Sequence, residues 1–295
     1  MIKITKRQRG VSNVSAIAHA GDIFGKYKRE TPHEVRAPDV KEDVVLKELR
    51  NIWNKFAYGQ DNEDAAYVRV LGLIGNLSVS AKDVEKFVIA LIEFQDEKWF
   101  AQKTGLLLSA LINTGSEENY TVDTRYLIKP PNDATIYDLG FRNVKNIIIY
   151  GNDVTRIGHK MERGTIIVRG DASAFAALEM QGGIIIVEGY GDYGSGSNMH
   201  GGELIIKGDA GPYIGGSMTG GRIHVYGNAP YQEFGRCMKG GLIVIEGNCG
   251  HDTGLAMEGG EIHLNGDYHS LGVNKMGGKV FHKGKLIYPV NNDAS

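Results

Sequence analysis

GGSMTGGRIHVYGN, residues 215–228, holds a methionine, a double glycine, a short run of alternating aliphatic residues and a closing Gly-Asn pair. The same order recurs on both sides of it. Met161, Met180, Met199, Met218, Met238, Met257 and Met276 follow one another at intervals of 19, 19, 19, 20, 19 and 19 residues, and they are every methionine of the chain except Met1. An earlier stretch, VKNIIIYGN at residues 144–152, keeps the strand and its closing glycine without the methionine. Each repeat supplies only about five strand residues between glycine-rich corners, too few to close a domain and without the partner a hairpin needs. Stacking identical coils removes the difficulty, because every strand then pairs in parallel with its copy one repeat away. A parallel β-helix of about eight coils, roughly 35 to 40 Å long, is expected over residues 143–284.

Alternate strand residues point to opposite sides, so the columns tell inside from outside. One column is aliphatic throughout: Ile166, Ile185, Leu204, Ile223, Ile243, Ile262 and Val280. A second, two residues on, reads Val168, Val187, Ile206, Val225, Ile245, Leu264 and His282. These two are expected to face the core. The flanking outward columns are polar, with Thr165, Glu203, Arg222, Glu261 and Lys279 on one side and Arg169, Glu188, Lys207, Glu246 and Lys283 on the other. The middle outward column departs from that rule. It reads Ile148, Ile167, Ile186, Ile205, His224, Val244, His263 and Phe281. An apolar row on a face that should be wet is expected to be a packing surface, a docking face for the chain's own helices or for another subunit.

Signals of chemistry are weak beside the repeat. Gly189, Gly191 and Gly194 match a Gly-x-Gly-x-x-Gly pattern after a strand, but a dinucleotide fingerprint must open a helix, and another glycine-rich coil follows instead. Asn152, Asp171, Asp209, Asn228, Asn248 and Asp267 recur at the corners. They lack the spacing of calcium-binding nonapeptides and read as a turn ladder whose side chains bond to neighbouring backbone. His224 and His263 share a column, yet Val244 separates them by two coils, about 9.6 Å, too far for one metal ion. No nucleophile elbow, Walker loop or His-Glu-x-x-His motif occurs. Carboxylates do not cluster as they do in the β-helices that cleave acidic polysaccharides. Neither catalytic, cofactor-binding nor metal-binding residues are therefore expected. Cys237 and Cys249 lack zinc or redox spacing and read as free thiols.

Glycine divides the chain. Of 41 glycines, 33 fall between residues 140 and 284 and only 8 in the first 139 positions. Residues 1–38 read as an extended arm or linker. A small helical domain is expected over 39–115. Its first helix is capped by Asp39 with Glu42 and presents Val45, Leu49, Ile52, Trp53 and Phe56, a second covers residues 63–77, a third starts at Ser80 with Asp83, and a fourth runs over about 98–112 before Gly115. Trp53, Phe56, Phe87 and Phe94 read as core rather than as a cofactor box. Residues 116–142 read as a β-rich connector and 285–295 as a tail that, like the helices, could cap an end of the coil stack. The fold class is thus α+β, a helical bundle followed by a single-stranded parallel β-helix.

Net charge is -2, from 33 basic and 35 acidic residues that are well mixed, so neither nucleic acid nor an anionic membrane is an expected partner. There is no apolar run long enough to span a bilayer and no secretory leader pattern, so the expected compartment is the cytoplasm.

The stretches GDAGPYIGGSMTGGRIHVYGN (208–228) and GYGDYGSGSNMHGGELIIKG (189–208) resemble the GXGXG repeat. That repeat forms the C-terminal domain of the large chain of glutamate synthase and one structural component of the formylmethanofuran dehydrogenase complex. The resemblance covers about half of the chain and implies a right-handed β-helix without active-site residues. It further implies a structural subunit of an oxidoreductase or amidotransferase complex, glutamate synthase-like first and formylmethanofuran dehydrogenase-like second. The N-terminal half departs from the pattern, with no glutaminase, flavin barrel or iron-sulfur cysteines, so a stand-alone β-helix domain with an added helical module is expected. The partners would be protein subunits of a larger complex, or copies of the chain. Two other classes stay open: an enzyme using a groove on the coils, and a self-associating structural protein.

Overall fold

The computed structural model describes residues 41–59, 62–127, 136–152, 154–272 and 277–289, all within one compact unit, Ala37–Ser295. Among the described residues, four α-helices come first. α1 (Val44–Lys55) starts at Asp43, whose carboxylate accepts from the Leu46 amide at 2.9 Å. The expected cap, Asp39 with Glu42, is displaced because Asp43 stands three residues ahead of a free first-turn amide; Asp39 itself lies outside the described residues. α2 (Glu63–Ile74) stops short of residue 77 because Gly75 adopts φ 53 and closes the last turn. α3 (Ala81–Ala90) opens with the expected reciprocal cap between Ser80 and Asp83.

α4 (Phe100–Thr114) buries 12 of its 15 residues, so it is a central element rather than a surface helix. Its buried Lys103 is partnered: the ammonium bonds Glu97 at 3.1 Å and lies 4.2 Å from the centre of the Trp53 ring. Trp53, Phe56 and Phe87 are fully buried and Phe94 stacks on Trp53 at 5.1 Å, in the core as expected.

The strands follow. β1 (Asn119–Asp123) and β2 (Ile136–Tyr137) lie where a connector was expected, and both join ladders. β1 pairs in parallel with β3 (Asn146–Tyr150), and β2 with β4 (Val154–Thr155). β3 leads to β5 (Thr165–Arg169), β6 (Ile184–Val187), β7 (Glu203–Ile206) and β8 (Arg222–Val225), each parallel to the last. The ladder continues through β10 (Leu242–Ile245), β12 (Glu261–Leu264) and β13 (Lys279–His282). β9 (Ala229–Gln232) and β11 (Cys249–His251) form a short second sheet on another side of the coils. The protein is a parallel β-solenoid of about seven turns with a spacing near 19 residues, preceded by a small helical part.

The periodic methionine and double glycine have one steric cause. Met161, Met180, Met199, Met218, Met238 and Met257 are all fully buried; Met276 lies outside the described residues. Gly183 adopts φ 85, and a Cβ there would sit 2.6 Å from the Met161 methyl and 2.8 Å from the Gly164 carbonyl oxygen. The methionine of one coil thus fills the space left by the missing side chain of the next, and a larger residue would separate the coils. At the corners, the Asn and Asp ladder forms as read. Asn152 accepts from the Asp171 amide at 3.1 Å, Asp171 from Tyr190 at 2.7 Å, Asp209 from Asn228 at 2.6 Å and Asn248 from Asp267 at 2.9 Å.

Both ends of the ladder are covered. α3 packs along β1, and α4 along β2 and α2. At the far end β14 (Lys285–Tyr288) folds back antiparallel onto β13 through Lys283 and Gly284, which take φ 49 and 78. Positive φ at both turn residues matches the strand twist of a tight hairpin. The described part of the tail therefore pairs the last coil. The two inward columns and the helices share one continuous core, from Leu46 to Val280.

Candidate docking face and the polar clasp

The outward column keeps strict register along the sheet, from Ile148 opposite Ile167 to His263 opposite Phe281. Its two halves differ in access. Ile148, Ile167, Ile186 and Ile205 are 0, 4, 6 and 7 % exposed and Val244 is 9 % exposed. All five lie outside the main core cluster, as a separate buried row on the other side of the sheet. Each is stacked on its register neighbours in the adjoining coils. Accessible surface along the row is concentrated at its C-terminal half, where His224, His263 and Phe281 are half-buried. Tyr226 beside them is 43 % exposed.

Charges edge this row in pairs of opposite sign. Glu188 bonds both Arg169 and Lys207, Glu203 meets Arg222 at 3.3 Å and Glu261 meets Lys279 at 3.2 Å. His224 Nε2 lies 2.7 Å from Glu246 and its ring stacks on Tyr226 at 4.2 Å. Burial alone would raise the Glu246 carboxyl, but hydrogen bonds with Asn265 and His224 outweigh it and hold it below its ordinary value. His263 stacks on Phe281 at 4.5 Å. A shallow groove of about 560 Å³ adjoins this end, lined by Gly259, Gly260, Glu261, Gly278, Lys279, Leu286 and Pro289.

A second polar cluster, unread in the sequence, ties α2 to the first coils. Asp138 is fully buried with φ 63; its carboxylate lies 2.8 Å from His159 Nδ1 and accepts from Arg156 at 2.6 Å. Arg156 reaches on to Glu63 of α2 at 2.8 Å. The neighbouring Asp64 is shared by Arg142 at 2.7 Å and Lys160 at 2.6 Å. Below them Ser109 Oγ of α4 accepts from the Gly140 and Phe141 amides at 2.9 and 3.1 Å. The approach needs Gly105, where a Cβ would lie 1.7 Å from the Tyr137 carbonyl oxygen. The contact between Asp138 and His159 is deeply buried, whereas the Asp64 pairs are partly exposed; a buried ionic contact fixes geometry more than it adds stability.

The Gly189 to Gly194 segment opens no helix; it passes into the turn before Met199, part of a coil corner. Among the described residues no group of three or more His, Cys, Asp or Glu is arranged to hold a metal ion. Burial pushes the Cys249 thiol up to about 12.

What these features define is a capped β-solenoid with one apolar row outside its core. No known family profile matches the chain, and no curated protein matches its sequence.

Proposed function

We propose that the chain is a non-catalytic structural subunit of an oxidoreductase or amidotransferase assembly, in the manner of the GXGXG domain of glutamate synthase. The observation that carries this reading is the outward row from Ile148 to Phe281, which sets apolar side chains on the face of the sheet turned away from the core. Its accessible C-terminal half, His224, His263 and Phe281 with Tyr226 alongside, is the seat for a partner subunit. Aromatic side chains that are partly buried before binding lose little entropy on docking, and charged pairs at the edges restrict which partner fits. The likeness of the repeat to that domain supplies the class of partner.

The experiment is affinity purification of the tagged chain from its own cell under native conditions, with mass spectrometry of what travels along. Stoichiometric recovery of a flavin or iron-sulfur synthase subunit with a glutamine amidotransferase is the expected result. Recovery of molybdenum or tungsten dehydrogenase subunits would move the chain to the formylmethanofuran dehydrogenase class. Recovery of the chain alone would overturn the scaffold reading.

A further inference from the structure

We propose that His251 and His269 form a binding site for one divalent transition-metal ion of the zinc, nickel or copper type. They stand on successive coils, on a different side of the solenoid from the outward row. Their rings lie 3.7 Å apart, centre to centre, inclined at 41°, and both residues are exposed. The backbone fixes this approach, since the His269 amide donates to the carbonyls of Cys249 and Gly250 at 3.2 Å each. Four other histidines hold a side-chain partner: His159 with Asp138, His200 with Thr219, His224 with Glu246 and His263 with Glu261. Among the described residues, the rings of His251 and His269 have only each other.

The placement on adjacent coils lets both rings turn onto one ion. Imidazole nitrogen binds zinc at about 2.0–2.1 Å, so two nitrogens on one tetrahedral ion must be about 3.3–3.4 Å apart. Ligating one ion spreads the ring centres from 3.7 Å to about 5 Å, because each ring centre sits about 3.2 Å from the ion, a rotation about the side-chain bonds that two exposed rings on adjacent coils can make. A metal ion takes both rings in the neutral form. Imidazole ligands favour zinc, copper and nickel over calcium and magnesium, which prefer oxygen. Gln232 stands in register beside His251, and the remaining coordination positions open to solvent. The site is independent of the scaffold reading and would persist if that reading failed.

The test is calorimetric titration of the full chain with Zn²⁺ and with Ni²⁺, together with electron paramagnetic resonance of the Cu²⁺-loaded protein. One ion per chain and a copper spectrum showing two nitrogen ligands are expected. His251→Asn and His269→Asn should each weaken binding at least about tenfold, while His200→Asn leaves it unchanged. Circular dichroism of the variants checks that the fold is retained, the expected result for exposed positions. Absence of binding, or binding unchanged in both variants, would overturn the proposal.

Discussion

Single side chains decide how the helices are held. Asp138 is the shared acceptor of His159 and Arg156 and is fully buried, so its removal leaves the His159 imidazole without its acceptor and the Arg156 guanidinium with Glu63 alone. Asp138→Ala is therefore expected to cost about 3–5 kcal/mol, measured by chemical denaturation, because breaking one side of a buried pair strands the other. A loss below about 1 kcal/mol would show that the cluster is solvated. Burial governs cysteine reactivity as well. With its thiol pushed up to about 12, Cys249 should resist alkylation at neutral pH in the native protein and react only after unfolding. Neither Asp138 nor its role was legible in the sequence, since it lies in the stretch outside the repeat and its partners come from sequence separations of 18 and 21. The His251 and His269 pair was missed for a different reason: a strict count of 19 sets His251 against Ser270, and here neighbouring Thr253 pairs with Leu271, only 18 on.

At the scale of elements, the coil and the helix obey different controls. Within a coil, the methionine under the next coil's glycine is the repeating contact. Met218→Ala should cost about 2–5 kcal/mol, as expected for a buried side chain in a rigid site, read from the denaturation midpoint. Leu in its place should cost less than about 1.5 kcal/mol. These contacts were legible because every coil repeats them, so a periodic residue type exposes a periodic environment. Helix α2 buries Ala66, Tyr67, Val70 and Ile74 in the core and adds charged contacts to the coils. The Lys160 hydrogen bond, aided by Arg142, keeps the Asp64 carboxyl below its ordinary value of 3.8. Burial would raise Glu63, but its backbone hydrogen bond and the Arg156 charge outweigh this and keep it below 4.5. For carboxyls depressed in the folded state, the stabilisation is complete above their ordinary values and is lost as pH falls through the depressed ones. Acid should thus loosen α2 from the coils below about pH 4, and Asp64→Asn should reduce that acid dependence in amide hydrogen exchange.

The described coils form a stack closed at both ends, by α3 at β1 and α4 at β2 and by the β14 hairpin at β13. Removing residues from Lys285 onward should expose the edge of β13 and drive association between copies, visible as a rise in mass by light scattering. The outward apolar row was legible as a column, because alternation along each strand assigns its side of the sheet. Its division into a covered aliphatic half and an accessible aromatic half was not. That division depends on packing between neighbouring coils, which strand alternation does not encode. The central claim is that the accessible half seats a partner subunit. Hydroxyl-radical footprinting of the chain, alone and within its native assembly, tests this most directly. Protection of Tyr226, His263 and Phe281 in the assembly, with Tyr193 and Tyr231 labelled equally in both, is the predicted result; equal labelling of Tyr226, His263 and Phe281 in the two states would contradict it.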